Sequence, residues 1–245
     1  IPVALSVHTQ FEAYLGYYGL GFFKPMLVGY IRELYQKCDA VLAPTVLSAE
    51  DLRAQAMSER VGIWSRGVDR EILNPARRDM AWRRGLGIGD EEFVIGWLER
   101  FCDTLDTLKS RGVSHRALII GDGPARDVFE RRAPDASFLG FQTGTDMARA
   151  LASTDVLVNP SKTEVFGNVT LEGMACGLPI VVADAPGTKH LVDHDVHGLL
   201  VPATDVDGYA DALQRYIADP ALRARHAAAG TARAEEFSWD GVNEA

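Results

Sequence analysis

Two short apolar bursts with a glycine-punctuated helix between them constrain this chain more than any other feature. Val156-Leu157-Val158 runs into Asn159-Pro160-Ser161, and Ile180-Val181-Val182-Ala183 follows Pro179. Both bursts read as buried strands. Between them, Gly167-Asn168 can turn the chain and cap a helix, Val169, Leu171, Met174 and Ala175 supply its apolar face, and Gly177 followed by Pro179 stops it. The same alternation extends along the chain. Strands are expected near 93–98, 117–120, 137–139, 155–159, 180–183 and 198–201, with helical segments between them. This is the pattern of a doubly wound parallel α/β sheet. Earlier in the chain, strands at 3–7, 40–43 and 61–64 are separated by a helix from about 22 to 37 and a second begun by a capping box at Ser48 and Asp51.

The loop between the paired strands carries the chemistry. Glu164 falls at the carboxyl end of a strand, where open α/β sheets bind ligands. The amides of Phe166, Gly167 and Asn168 would point from a helix N-terminus toward an anion such as a diphosphate. Glu172 lies about one turn further on, where a carboxylate can accept two hydrogen bonds from a vicinal diol such as ribose O2 and O3. Glu164 can accept from the hydroxyls of a transferred sugar. The ordinary alternatives are that Glu172 compensates the helix dipole and that Glu164 is a solvated loop charge.

The spacing from Glu164 to Glu172 with Phe166-Gly167-Asn168 inside it, followed by L-E-G-M-A-C-G-L-P-I-V-V-A-D-A-P-G, resembles the donor-binding signature of retaining GT-B glycosyltransferases of family 4. The segments S-V-H-T-Q-F, D-A-V-L-A-P-T-V-L-S-A-E-D-L, V-G-I-W-S-R-G-V-D, I-I-G-D-G-P, F-L-G-F and H-G-L-L-V-P resemble family segments in the same order. Glycolipid-forming members, sulfoquinovosyl- and mannosyltransferases among them, are the nearest in character. The resemblance implies two Rossmann-like domains facing a cleft, a UDP- or GDP-linked sugar as donor substrate, a lipid or glycan acceptor, and no cofactor or bound metal. It implies catalytic roles for His8, Glu164 and Arg100. Donor binding is implied for Phe166, Gly167, Asn168, Val169 and Glu172, and for Gly121, Gly123, Phe138 and Gly140 as a nucleobase wall. The family has a Glu-Lys-Gly loop after the arginine. Here Arg100 runs straight into Phe101-Cys102-Asp103, so that loop and its lysine are missing; of the two lysines that could substitute, Lys109 lies too far along the following helix and Lys162 reads as a solvated neighbour of Glu164. Two alternatives follow: a GT-B sugar-nucleotide epimerase, or a catalytically silent nucleotide-sugar binding module.

The expected organisation is an acceptor-side domain over 1–75, a donor-binding domain over 76–236, and a segment at 237–245 that returns toward the first. The family carries a complete acceptor domain, so the first one is expected to be incomplete in this sequence. A net charge of -9 argues against nonspecific nucleic-acid binding, which relies on an excess of Lys and Arg. Arg77-Arg78 and Arg83-Arg84 read as a solvated face, with membrane or phosphate contact as the alternative. The three cysteines have no metal-ligand spacing, which fits a reducing cytoplasm. Phe11, Tyr14, Tyr17, Tyr18, Phe22, Phe23 and Lys24 form an aromatic stretch suited to domain packing or to peripheral contact with a membrane. The pairs Asp193/Asp195 and Asp205/Asp207 read as surface turns.

Overall fold

The computed structural model describes residues 1–8, 15, 19–97, 102–123 and 126–239. A three-stranded sheet comes first: β1 (Ala4–Ser6), α1 (Lys24–Lys37), β2 (Ala40–Ala43), α2 (Val46–Ala54) and β3 (Val61–Ile63), all strands parallel in the order β1-β2-β3. The strand expected over 3–7 is shorter and less buried than the sequence suggests. Ala4 is exposed and Leu5 and Ser6 are half-buried, because β1 is the edge strand. The capping box at Ser48 does not form. Thr45, in extended backbone, caps α2 by accepting from the Ser48 amide at 3.0 Å, so the helix begins at Val46.

The second unit comprises α3 (Met80–Gly85), β4 (Val94–Trp97), α4 (Cys102–Ser110), β5 (Arg116–Ile119), α5 (Arg126–Arg132), β6 (Ser137–Phe138), α6 (Gly144–Ala152) and β7 (Val156–Asn159). It continues with α7 (Asn168–Ala175), β8 (Ile180–Ala183), α8 (Pro186–Lys189), β9 (Gly198–Val201), α9 (Val206–Ala218) and α10 (Pro220–Ala234). The six strands are parallel in the order β6-β5-β4-β7-β8-β9. Counted from β4 this is the doubly wound order, with its switch point between β4 and β7. Strands β7 and β8 are buried along their whole length, and Leu171, Met174 and Ala175 of α7 are at most 1% exposed above them. Burying the Leu171 and Met174 side chains stabilises the fold by about 1.5–3 kcal/mol each. The end of α7 follows from Gly177 at φ 76°: its amide bonds the Met174 carbonyl and the Leu178 amide bonds the Gly173 carbonyl, both at 3.0 Å.

Val68 and Leu73 already pack in the core of the larger sheet. The Val68 amide donates to the Phe237 carbonyl at 2.8 Å and Val68 bridges to Ser238, so the closing segment returns to the stretch that joins the two sheets. Residues 240–245 lie outside the described residues. The surface helix expected over 220–236 forms as α10, which lays Leu222, His226, Gly230 and Ala234 inward and packs on α7.

The arginine pairs do not form one solvated face. Arg84 is exposed and pairs with Asp90, but the Arg83 side chain is 1% exposed. Arg83 donates to Asp155 at 3.2 Å and to the Glu92 carbonyl at 2.7 Å, while Arg78 meets the other Asp155 oxygen at 2.6 Å. Asp155 also accepts the Val94 amide at 2.8 Å. The carboxylate thereby locks α3 and its approach to the amino ends of β4 and β7. Of the acidic pairs, Asp193 and Asp195 lie in the turn before β9, where Asp195 pairs with Arg215, whereas Asp205 caps α9 and Asp207 falls in its first turn and pairs with Arg111.

Candidate active site

The loop that leaves β7 is built from its buried end. Asn159, 6% exposed, donates to the Thr170 hydroxyl at 3.3 Å and accepts the Ser161 amide at 3.1 Å, tying the strand to both the loop and α7. Gly167, at φ 92°, then reverses the chain into α7 and is its N-cap, so Asn168 is the first helical residue and its side chain makes no cap. One of the three amides expected to face an anion is occupied: Gly167 donates to the Glu164 carboxylate at 3.2 Å. Phe166 is 4% exposed and its ring packs against His190 at 4.6 Å and Phe237 at 6.0 Å, so only its backbone can face a ligand. Val169 is half-buried against the core.

Behind this loop, α8 presses on Glu164. A Cβ on Gly187 would sit 2.0 Å from the Glu164 carbonyl oxygen and 2.9 Å from the Val165 nitrogen. Thr188, fully buried, donates its hydroxyl to the Ala185 carbonyl at 2.9 Å and accepts the Ala185 amide, fixing the turn that carries Gly187. The loops after β7 and β8 therefore hold a common position, which the spacing of the motif alone does not reveal.

Glu172 is partly buried on α7, and desolvation pushes its carboxyl up to about 7 from 4.5. The folded protein holds this proton more tightly than the unfolded chain does. The resulting stability is fully present below about pH 4.5 and is lost as pH rises through about 7. At roughly 1.4 kcal/mol per pKa unit the contribution is on the order of 3 kcal/mol. Between about pH 5 and pH 8 the ligand-free protein is therefore expected to lose more thermal stability than Glu172→Gln does, while His190, whose pKa burial lowers to about 4, acts in the opposite sense equally in both proteins. Equal slopes in the two proteins would remove Glu172 as a source of this pH dependence. Burial and the nearby Glu172 carboxylate together raise the Cys176 thiol to about 12, which leaves it inert.

His8 follows β1 as expected, is exposed, and contacts the Arg66 guanidinium. Arg66 follows β3, and the sequence reading did not single it out. Burial first and Arg66 second lower the His8 pKa, which favours the neutral imidazole. On the far side of the switch point, Gly121 and Gly140 bond each other, amide to carbonyl, at 2.8 Å. Gly123 donates to the Asp122 side chain at 2.9 Å, and the Arg126 guanidinium lies 5.8 Å over the Phe138 ring. The wall expected to face the nucleobase thus carries a cation, Arg126, that the sequence reading missed. Arg100 lies outside the described residues. Lys109 is spent on Asp135 at 3.6 Å, at the far end of α4.

A cavity of about 450 Å³ lies between the units, lined by Thr45, Leu47, Ser48 and Asp51 on one side and by Glu164, Val165, Pro186 and Lys189 on the other. Among the described residues no cluster of three or more His, Cys, Asp or Glu could hold a metal ion. None of the described helices is long and apolar enough to cross a membrane.

Two parallel α/β units meeting at a cleft, one of them with a helix N-terminus at its switch point, define the GT-B class of glycosyltransferase fold. A sucrose-phosphate synthase from Thermosynechococcus elongatus superposes with a TM-score of 0.84 at 21% identity, covering 98% of this chain and 64% of that one. HepE of Anabaena in complex with UDP-glucose gives 0.83 at 23%, covering 99% and 70%. The family model described as glycosyl transferases group 1 matches residues 94–219, and that described as Glycosyltransferase Family 4 matches 1–72. The chain belongs to the glycosyl transferases group 1 family. A GDP-mannose-dependent alpha-mannosyltransferase of Mycolicibacterium smegmatis is 33% identical over 218 residues, 87% of this chain and 56% of that protein. The sulfoquinovosyl transferase SQD2 of Arabidopsis thaliana is 29% identical over 252 residues, 98% of this chain and 49% of that protein. The chain spans about half the length of these curated relatives.

Proposed function

We propose that this chain carries the donor site, and one wall of the cleft, of a retaining glycosyltransferase that moves a sugar from a nucleotide diphosphate sugar to a hydroxyl of a lipid or glycan. The observation that carries the reading is the placement of Glu164 and Glu172 around the α7 N-terminus at the β4/β7 switch point, with Glu164 lining a cleft shared with the first unit. In this reading Glu172 accepts from the ribose diol and Glu164 from the donor sugar. The α7 N-terminus and Arg100 hold the diphosphate, and the wall at Gly121, Gly123, Phe138 and Gly140 takes the base. His8, paired with Arg66, stands beside the reacting carbon as a hydrogen-bonding group rather than a nucleophile.

The acceptor oxygen bonds to the anomeric carbon on the face from which the diphosphate departs. The carbon–oxygen bond to phosphate breaks, and a phosphate oxygen takes the acceptor proton. The chemistry needs no metal if these groups neutralise the leaving diphosphate. The domains are taken as 1–75 and 76–236, with 237–245 returning. A cytoplasmic protein touching a membrane peripherally fits exposed Phe22 and Phe23. Relatives named for GDP-mannose and a structure with UDP-glucose make those two donors the first to try.

Calorimetric titration with both donors, alongside a transfer assay on membrane extracts, tests the reading. Binding with acceptor-dependent product is the expected result, and affinity should rise with pH through about 7 as Glu172 ionises. Binding without turnover in the complete protein would leave a silent nucleotide-sugar binding module in its place.

A further inference from the structure

The wall of the cleft opposite the donor loop has a charge pattern that restricts what can enter. It is contributed by the first turns of α2: Leu47 is exposed, Ser48 brings a hydroxyl, and Asp51 brings a carboxylate. Gln55, one turn on, donates to one Asp51 oxygen at 2.8 Å and so fixes the carboxylate. Across the cavity stand Glu164 and Lys189, and the Lys189 ammonium is already engaged by Asp184 at 2.6 Å. Among the described residues lining the cavity there are two carboxylates and one cation, and that cation has its counterion.

We infer that this cleft admits an uncharged, polyhydroxyl acceptor and excludes a phosphorylated one, with Asp51 as the specificity-determining residue. The inference rests on the transfer reading above. A phosphate monoester brings up to two negative charges and binds where arginines or unpaired lysines face it. Within this cavity, whose lining does not include the Arg66 guanidinium that faces His8, it would meet Asp51 and Glu164 beside a donor diphosphate that is itself anionic, so like-charge repulsion and desolvation both oppose it. Neutral hydroxyls meet the opposite situation. They donate to the carboxylates of Asp51 and Glu164, and one of them can exchange hydrogen bonds with Ser48, which orients a diol or triol across the cavity. Leu47 and Val165 supply the apolar contact that a carbon skeleton or the start of a lipid chain would use.

The test uses the complete protein with GDP-mannose and UDP-glucose, donor binding being established first by calorimetry. Transfer is then compared for glycerol and myo-inositol against their 3-phosphates. The expected result is a kcat/KM at least tenfold larger for the neutral member of each pair. Asp51→Lys, on an exposed helix position, should narrow or invert that ratio while leaving the KM for donor unchanged. Asp51→Asn should narrow it less. Preference for the phosphates, equal use of both, an unchanged ratio in Asp51→Lys, or no transfer to any of the four by a donor-bound protein would each overturn the inference. Failure to bind either donor would instead bring down the transfer reading beneath it.

Discussion

Asp155→Ala is expected to destabilise the protein by about 3–5 kcal/mol, because it strands a buried cation. The Arg83 side chain is 1% exposed, and its guanidinium is held between Asp155 and the carbonyls of Ser153 and Glu92. Removing the carboxylate leaves that charge with dipoles alone, deprives the Val94 amide of its acceptor and leaves Arg78 with only the Ala152 and Thr154 carbonyls. With whole-domain stabilities of about 5–15 kcal/mol, such a loss is a large fraction of the total. Urea unfolding measures it through the midpoint. Asp155→Asn keeps acceptor geometry and should cost less than alanine. A loss under about 1 kcal/mol for Asp155→Ala would show that Arg83 finds other partners.

Glu164→Gln is expected to lower kcat by about 10²–10³-fold, the usual cost of deleting one preorganised polar contact at a reacting centre. Donor affinity through Glu172 and the α7 N-terminus should change far less. Gly187→Ala reaches the same centre without touching its chemistry. Its Cβ would fall 2.0 Å from the Glu164 carbonyl oxygen and 2.4 Å from its carbon, both backbone atoms that cannot turn aside. One of the two loops must move. A displacement near 1 Å at a catalytic group costs about 10²-fold, and the forced repacking about 1–3 kcal/mol. Both variants should show reduced kcat with donor dissociation constants within a few-fold of the parent, read by single-turnover kinetics and calorimetry. Full activity in Gly187→Ala would separate the two loops, and full activity in Glu164→Gln would remove that residue from the mechanism.

The strand–loop–helix–strand unit was legible because its signals are local. Apolar bursts mark β7 and β8, Gly177 stops α7, and the two glutamates keep their spacing whatever the rest of the chain does. The start of α2 was misplaced by three residues, since Thr45 and Ser48 are both good caps and only the extended backbone at Thr45 chooses between them. Arg83 gave no local sign of burial. Its partner is 72 residues away, and a doublet of arginines beside a linker looks the same whether it is solvated or enclosed.

The parallel α/β class was thus determined by the sequence itself through periodicity, the family through the resemblance of its motifs, and Glu164 and Glu172 stood out by their spacing as the carboxylates proposed to hold the donor. Only the tertiary structure decided that the Glu164 carboxylate bonds the Gly167 amide, that Gly187 packs against its backbone, that Arg66 meets His8, and that Asp51 shares a cavity with Glu164. The physical reason is that the latter three join residues distant in the chain, whose approach depends on how β-strand ends converge at a cleft. The first depends on the left-handed turn at Gly167, which the packing of α8 and Leu191 against it holds in place.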